Sequence, residues 1–475
     1  MDSDFNGDGL RDTAIADPEA TVAGKERAGL IRVILGGGKG VVEVSQSMPN
    51  ILDTAEEGDQ FGFSFSSYDA DLDGCSDLAV GVPYEDVGDI TDAGTVHLLY
   101  GSPSGIGQAR DSVFTQGATQ RLGDTAEVGD LVGYSVATTT SSTSTPYLLI
   151  GTPGEDTGTV ADAGMVSAVY GAAAQVAAIT QDSPGVWEGS EAHDRFGFSL
   201  AAAGNWFTVG APGESTGSVK AVGAITVFKA SLNTSGIPDP AWGAFQQRRM
   251  LTSDSGAEAG DGFGTALGMA AHRPATAATP TDALIAIGVP GEDYGSIADT
   301  GGVQIAQVTA TGEAAWHGWI QQGRAGVHGL AEPGDRFGQA LAAANTSPSA
   351  VSTAATMRLA IGVPGEDTDD DTGTPLTDTG GVALMPLLGS AGAEDVWLEA
   401  GDGLPATAAS HLLAGLNLFA TRSALYVGLP YARSTDRAVH YYPWSTGAGG
   451  SPAQSWRPGT GGIPAENTAF GTATR

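Results

Sequence analysis

The feature that most constrains the fold of this chain is a repeat that closes on itself across the two ends of the sequence. A Phe-Gly pair or its Val-Gly equivalent, which we call a head, recurs at Gly62, Gly133, Gly197, Gly264, Gly338 and Gly471. The interval from Gly338 to Gly471 is about twice the others, which predicts a degenerate head near residue 411. The four residues after Gly471 and the first 62 residues together make one further period. A chain whose two ends share one repeat is expected to form a closed ring.

A second marker gives the same number of repeats. A short apolar strand that ends in proline occurs seven times, at Pro18, Pro83, Pro153, Pro212, Pro290, Pro364 and Pro430. Repetition at this period is typical of solenoids and propellers, and the short alternating apolar runs favour strands. We therefore predict an all-β fold, a seven-bladed β-propeller of four-stranded blades that forms a single domain over residues 1–475. Residues 470–474 are expected to pair with residues 13–16, so that strands from both termini close the ring.

Charge and composition restrict the partners. The formal net charge is −34, from 55 acidic against 21 basic residues, and such a surface repels phosphate backbones, so we expect no nucleic acid partner. No window of about 20 apolar residues is present, so no membrane span is expected. The favoured interpretation is a mature secreted, extracellular chain whose leader peptide has been removed, and the alternative is a cytosolic protein.

Two loops carry the pattern D-x-[DN]-x-D-G-x-x-D, at residues 4–12 and 69–77. Oxygen ligands at alternate positions, with glycine at the sixth, let a backbone wrap a hard cation. The pattern predicts two Ca²⁺ sites with side-chain ligands from the first, third, fifth and ninth positions and a carbonyl from the seventh: Asp4, Asn6, Asp8, Leu10 and Asp12 in one, and Asp69, Asp71, Asp73, Cys75 and Asp77 in the other. The twelfth position is Ile15 or Val80 rather than glutamate, so neither loop is an EF-hand. The alternative is a pair of acidic turns.

A second acidic loop follows the proline in several repeats. It contains Glu-Asp pairs at residues 85–86, 155–156, 292–293 and 366–367. These pairs indicate either turns in which the aspartate caps backbone N–H groups, or a ring of weak cation sites or a binding rim on one face.

At these residues the chain resembles the FG-GAP repeat family, which includes the propeller of integrin α-subunit heads. The heads at Phe61-Gly62 and Phe196-Gly197, with Gly81-Val82-Pro83 and Gly210-Ala211-Pro212, resemble the motif that names the family. The resemblance implies that the loop at 69–77 is a structural cation site that stiffens a blade, away from the usual ligand surface. The resemblance does not imply an integrin β-subunit partner, so the cell-adhesion role of integrins is not expected of this chain. The family also includes lectin-like binders and propellers attached to enzymes such as phospholipases.

The seven histidines share no repeat phase, and no nucleophile elbow, zinc pair or phosphate loop occurs. We therefore expect a non-catalytic protein-interaction or adhesion module that is a monomer or one subunit of a secreted assembly. Its partner is predicted to be a protein or a cell-surface polysaccharide. The alternatives are a lectin-like propeller and a calcium-dependent enzyme with a site in the central funnel. The divergent seventh repeat adds basic and aromatic residues, which indicate either a partner site or repeat decay: Arg433, Arg437, Tyr441 and Tyr442.

Overall fold

The computed structural model describes residues 3–108, 110–117, 121–122, 124–245, 257–369, 372–390, 392, 395–466 and 468–474. Within these residues the regular structure is strand, apart from one 3₁₀ turn at Gly36–Gly38. The strands form seven antiparallel blades arranged as a β-propeller, which confirms the predicted fold class.

The strands follow chain order within every blade. Blade 1 contains β1 (Thr13–Asp17), β2 (Leu30–Leu35) and β3 (Gly40–Val44). Blade 2 contains β4 (Ser64–Tyr68), β5 (Asp77–Val82), β6 (Thr95–Leu99) and β7 (Asp111–Phe114). Blade 3 contains β8 (Ser135–Thr140), β9 (Pro146–Thr152), β10 (Met165–Tyr170) and β11 (Gln175–Ile179). Blade 4 contains β12 (Ser199–Ala203), β13 (Trp206–Ala211), β14 (Ala224–Leu232) and β15 (Pro238–Phe245).

Blade 5 contains β16 (Leu267–His272), β17 (Asp282–Val289), β18 (Gly302–Val308) and β19 (Ala314–Ile320). Blade 6 contains β20 (Ala340–Asn345), β21 (Met357–Val363), β24 (Gly381–Pro386) and β25 (Val396–Ala400), with a small hairpin of β22 (Thr368–Asp369) and β23 (Pro375–Leu376) and a short parallel strand β26 (Gly403–Leu404). Blade 7 contains β27 (Asn417–Ala420), β28 (Ala424–Gly428), β29 (Val439–Pro443) and β30 (Gln454–Trp456).

The Phe-Gly heads act as packing devices between blades. The head aromatic rings are at most 1% exposed, so each fills the core. Three heads also form a parallel bridge to the glycine just before the third strand of the preceding blade: Val132 with Gly94, Phe196 with Gly164 and Phe337 with Gly301. The same bridge joins Gly380 to Ala414. The degenerate seventh head is therefore Ala414-Gly415, a few residues beyond the predicted position.

Glycine is required in the heads because the backbones of neighbouring blades touch there. Gly133 has φ +86°, and a Cβ on it would lie 2.7 Å from the carbonyl oxygen of Thr95. A Cβ on Gly81, in β5, would lie 2.1 Å from the carbonyl oxygen of Gly133. The Ser64 hydroxyl donates a hydrogen bond to the same Gly133 oxygen at 2.7 Å. Two glycines and a serine thus bring blades 2 and 3 into direct backbone contact.

Blade 1 obtains its missing strand from the end of the sequence. The Ala16 N–H donates to the Ala473 oxygen at 2.9 Å, the Gly471 N–H donates to the Ala16 oxygen at 2.9 Å, and Ile15 bridges Thr474. The predicted pairing of residues 470–474 with residues 13–16 is confirmed.

Side chains reinforce this closure. Arg32 is 2% exposed and donates to the Glu466 oxygen at 2.7 Å and to the Asp17 carboxylate at 3.4 Å. Asp17 in turn accepts hydrogen bonds from the N–H groups of Thr468 and Ala469 at 3.0 and 2.7 Å. The Arg32 guanidinium also lies over the buried Phe470 ring. We call Arg32, Asp17, Glu466 and residues 468–470 the closure clasp.

Contacts between residues divide the chain into two compact units. Unit 1 comprises Met1–Leu200, Ala230–Asp239 and Trp456–Arg475, and unit 2 comprises Ala201–Lys229 and Pro240–Ser455. Each unit has its own apolar clusters. One cluster in unit 1 surrounds Phe5, Phe61 and Phe65, and one in unit 2 surrounds Leu425, Tyr442 and Trp444.

Candidate cation loops and an aromatic surface

The first candidate cation loop, residues 4–12, leads into β1 and is ordered by its own backbone. The Asp4 carboxylate accepts hydrogen bonds from the N–H groups of Asp8 and Gly9 at 3.1 and 2.9 Å. The Asp8 carboxylate accepts one from the Leu10 N–H at 2.8 Å. The acidic side chains are thereby turned toward the inside of the loop.

The second loop, residues 69–77, joins β4 to β5 and repeats this pattern. The Asp69 carboxylate accepts hydrogen bonds from the N–H groups of Asp73 and Gly74, both at 3.1 Å. The Asp73 carboxylate accepts one from the Cys75 N–H at 2.8 Å. Two segments about 65 residues apart in sequence therefore adopt one loop conformation.

The ninth residue of each loop is a buried aspartate that anchors it to the blade. Asp12 accepts hydrogen bonds from the N–H groups of Phe5 and Gly36 at 2.9 and 2.8 Å. Asp77 accepts them from Ala70 and Gly101 at 2.7 and 2.8 Å. Burial is the main cause that raises the pKa of Asp77 to about 7, and the nearby charges of Asp71 and Asp69 raise it further. Burial raises the pKa of Asp12 as well.

The donor set fits a hard cation. Oxygen atoms of Asp69, Asp71 and Asp77 lie within 4.8 Å of one another, and the Asp71 Oδ1 atom is buried without a hydrogen-bond partner. The Cys75 thiol lies against Gly7, and burial raises its pKa, so the neutral sulfur packs while its carbonyl stays available to the loop. Carboxylate, amide and carbonyl oxygens are the ligands that Ca²⁺ prefers.

The two loops also touch each other. The Ser76 N–H donates to the Asp4 carbonyl oxygen at 2.8 Å, and the Asp4 N–H donates to the Ser76 hydroxyl at 3.1 Å. One basic side chain reaches each loop: Lys39 pairs with Asp8 at 2.7 Å and Arg110 pairs with Asp71 at 3.0 Å. The two candidate sites are therefore neighbours within unit 1.

The Glu-Asp loops divide their two acids between two roles. The aspartates cap the loops, since Asp86, Asp156, Asp293 and Asp367 accept the N–H groups of Asp92, Asp162, Asp299 and Asp378 at 2.8–2.9 Å. The glutamates point inward, and Glu85 and Glu155 are 2% and 4% exposed. The predicted capping role holds for the aspartates and does not describe the glutamates.

Sequence analysis missed an aromatic surface in unit 1, which we call the aromatic arc. It consists of Tyr84, Phe63, Tyr134 and Phe198, whose successive ring centroids are 5.7, 5.1 and 5.0 Å apart. All four side chains are half-buried. The signal available in the sequence was the residue that follows the head glycine, which is aromatic in three consecutive repeats.

A cavity of about 160 Å³ adjoins the far end of the arc. Tyr134 and Phe198 line it together with Arg195 and Asp162, and Asp162 pairs with His193 at 2.7 Å. Burial raises the pKa of Tyr134, which keeps its hydroxyl protonated. The cavity offers two rings, a guanidinium and a carboxylate, which suits one sugar ring or one polar side chain.

The predicted partner patch of the seventh repeat is not a single surface. Tyr442 is fully buried, and its hydroxyl donates to the Gly403 oxygen at 2.7 Å. Tyr441 is half-buried edge-on against Tyr426, with ring centroids 5.2 Å apart, and Arg437 is also half-buried. Arg433 is exposed. Tyr442 is thus a core residue because it alternates with outward positions on β29, and it is withdrawn from the partner surface.

No helix among the described residues is long and apolar enough to cross a bilayer.

Comparison with known proteins gives partial matches. Residues 61–99 match the family model described as FG-GAP repeat. The phosphatidylinositol-glycan-specific phospholipase D of Mus musculus is 30% identical over 105 residues, which is 22% of this chain and 12% of that protein. Its counterpart from Rattus norvegicus is 29% identical over 107 residues, or 22% and 13%. The matched region is therefore a small part of each phospholipase.

Two solved structures match this chain at low similarity. The periplasmic gluconolactonase of Pseudomonas aeruginosa is 11% identical with a TM-score of 0.44, covering 96% of this chain and 98% of that one. An α-L-arabinofuranosidase of Fusarium graminearum, solved with an iminosugar inhibitor, is 9% identical with a TM-score of 0.37, covering 71% and 83%.

These comparisons correct one prediction. The chain was expected not to be an enzyme, yet the curated relatives that it matches over 22% of its length are phospholipases. That expectation rested on the lack of short catalytic motifs, and a propeller site assembled from several blades leaves no such motif in sequence. What the repeats, the blades and the family match do establish together is a seven-bladed β-propeller in which residues 61–99 match an FG-GAP repeat.

Proposed function

We propose that this chain is a calcium-binding FG-GAP propeller that supplies a binding surface to an enzyme activity, located in this chain or in a protein associated with it. The single observation that carries the calcium assignment is the shared conformation of the two loops. In both, the first and ninth aspartates are held by backbone N–H groups in the same pattern. This arrangement holds several acidic side chains close together in each loop, where a cation would offset their repulsion.

The proposed ligands are the ten residues predicted from the sequence: the side chains of Asp4, Asn6, Asp8, Asp12, Asp69, Asp71, Asp73 and Asp77, with the carbonyls of Leu10 and Cys75. A bound Ca²⁺ supplies positive charge that ties the loop to its blade. We propose an extracellular setting, because sites of this kind in extracellular modules have Kd values of about 10⁻⁴–10⁻³ M and fill at millimolar calcium.

Removing one ligand from each loop tests the calcium sites. At about 1 mM Ca²⁺ and a Kd of about 0.1 mM, each site adds roughly 1.4 kcal/mol to the free energy of unfolding. Asp8→Asn with Asp73→Asn should therefore abolish most of the calcium-dependent rise in Tm and remove two binding events from a calorimetric titration. Asp89→Asn, on an exposed turn of blade 2, is the matched control for loss of an acidic charge. Equal calcium responses in the double variant and the control would refute the assignment.

The aromatic arc is the surface that we propose for ligand binding. Half-buried aromatic rings with an adjacent guanidinium and carboxylate are typical of sites for a sugar ring or for a side chain of a protein partner. The name of the matched phospholipases includes a glycan, so a carbohydrate ligand is the candidate to test first.

Truncating the arc separates the two ligand classes. Tyr134→Ala with Phe198→Ala should lower affinity for the true ligand by at least about tenfold, the usual effect of losing a central aromatic contact. Glycan-array binding in calcium measures the carbohydrate arm, and capture of proteins from the producing organism's secretome measures the protein arm. Tyr431→Ala, at an exposed tyrosine of blade 7, is the control. Full binding by the arc variant in both assays would exclude the arc as the ligand surface.

A further inference from the structure

A buried group of three polar residues recurs where the acidic segment before a head meets the Glu-Asp loop. Each group contains a glutamine from the end of one blade, the aspartate that precedes the next head, and the inward glutamate of the loop. We call these the Gln-Asp-Glu clusters. In three of them the glutamine donates to the glutamate: Gln46, Asp59 and Glu85; Gln116, Asp130 and Glu155; and, in unit 2, Gln322, Asp335 and Glu366.

The clusters share one set of hydrogen bonds. In the second cluster the Gln116 Nε2 group donates to the Glu155 Oε2 atom, and the Asp130 Oδ2 atom accepts from the Glu127 N–H at 2.5 Å. In the first, Gln46 donates to Glu85 at 2.6 Å. In the third, Gln322 donates to Glu366 at 2.6 Å, and Asp335 accepts from the Glu332 N–H at 2.6 Å.

The glutamine Oε1 atom is left without a partner in all three clusters, and the aspartate Oδ1 atom in two of them. The Oε1 atoms of Gln46, Gln116 and Gln322 and the Oδ1 atoms of Asp130 and Asp335 are buried and accept no hydrogen bond. Gln116 and Asp130 are each 1% exposed. Buried polar atoms in folded proteins are nearly always paired, so a leftover set that recurs in three blades indicates a missing positive or hydrogen-donating partner.

Electrostatics restrict what that partner is. Within the described residues, no ion pair joins these carboxylates to a basic side chain. Burial, followed by the charges of neighbouring acids, raises the pKa of Asp130 to about 7, and burial raises that of Glu155 to about 8. Two carboxylates without a counterion are therefore costly in their charged form. A proton on the glutamate can be donated to the glutamine oxygen but leaves the aspartate Oδ1 atom unpaired, whereas a hard cation takes all the carboxylate and amide oxygens together.

We propose that the Gln116–Asp130–Glu155 cluster binds a divalent cation of the calcium class, and that the two matching clusters are further sites of the same kind. The ligands are the Gln116 Oε1 atom, the Asp130 Oδ1 atom and a Glu155 carboxylate oxygen. Each site joins the last strand of one blade to the head and loop of the next. These sites are separate from the two cation loops and do not depend on them.

Counting bound ions tests the proposal. After equilibrium dialysis in 1 mM CaCl₂, elemental analysis should find more than two Ca²⁺ per wild-type chain. Glu155→Gln should lower that number by one and reduce the calcium-dependent rise in Tm. Asp89→Asn, at an exposed acid that is not part of a cluster, should change neither. Asp8→Asn with Asp73→Asn should lower the number of bound ions by two and leave the effect of Glu155→Gln unchanged. The experiment therefore shows separately whether the loops bind calcium and whether the clusters do.

The opposite behaviour of Glu155→Gln would overturn the proposal. If the cluster holds only a proton or a water molecule, the ion count stays the same and the variant is more stable at pH 8, with and without chelator. The sign of this pH effect follows from the raised pKa of Glu155. A carboxyl group whose pKa is about 4.5 in the unfolded chain and about 8 in the folded chain makes folding less favourable as the pH rises between those two values. If Glu155→Gln does not fold, Gln116→Leu serves as the second variant. It keeps both carboxylates but removes the amide ligand, so it must still bind one Ca²⁺ fewer than the wild-type chain.

Discussion

Deleting residues 466–475 should lower the free energy of unfolding by at least about 5 kcal/mol, which is comparable to the whole stability of many domains. Loss of the buried Phe470 ring alone is expected to remove about 3–5 kcal/mol. Removing the backbone partners of Arg32 and Asp17 leaves a buried ion pair without its remaining hydrogen bonds, which adds to the loss. The edge of β1 also becomes unpaired.

Chemical denaturation with a fluorescence or circular dichroism readout measures the effect. Phe470→Leu keeps the pairing and most of the apolar volume, and we expect it to lose less than about 1.5 kcal/mol. If the Tm of the deletion variant lies within about one degree of that of the full chain, residues 470–474 contribute nothing to the stability of blade 1. The same deletion should promote aggregation, which light scattering detects, because the exposed β1 edge becomes available to other chains.

Gly81→Ala should destabilise the protein by about 3 kcal/mol, although it adds one methyl group to a strand. The new Cβ would lie 2.1 Å from the Gly133 carbonyl oxygen and 2.4 Å from the Ser64 hydroxyl. The Gly133 oxygen belongs to the backbone of the neighbouring blade, so it cannot rotate away as a side chain could. Relief therefore requires blades 2 and 3 to separate, which also breaks the hydrogen bond from Ser64 to Gly133.

Gly318→Ala is the matched control, because that glycine also lies in a strand, β19, and a Cβ there meets nothing within 4 Å. We expect a change in Tm of no more than about 1 °C for Gly318→Ala and a decrease many times larger for Gly81→Ala. Similar melting of the two variants would mean that the contact between blades 2 and 3 is not sterically determined.

Much of the fold could be predicted because each blade repeats the same backbone requirements. The head glycines need positive φ and close approach, as at Gly133, so their spacing reports the number of blades directly. The seventh head was placed only approximately. At Ala414 a methyl group stands where the other heads have an aromatic ring or valine. Ala414 is still buried and still forms the bridge to Gly380, so the head geometry is kept although the sequence motif is lost.

Side-chain direction was harder to predict than strand position. Tyr441 and Tyr442 are adjacent in sequence, yet Tyr441 is half-buried edge-on against Tyr426 and Tyr442 is fully buried. The sequence Gly-Glu-Asp is typical of a polar turn, and the aspartate does cap that turn. The glutamate beside it is buried because its partner, Gln116, arrives from the preceding blade, a contact between residues 39 positions apart that no local pattern encodes.

The closure clasp has a consequence for how the molecule assembles. Ile15 leaves the ribosome 459 residues before its partner Thr474. Blade 1 must therefore wait with an open edge while the intervening blades form. Contacts of such long sequence separation slow folding and expose intermediates to misassembly. Synthesis rate and chaperone supply, rather than equilibrium stability, should accordingly limit the yield of active protein when this chain is produced in a foreign host.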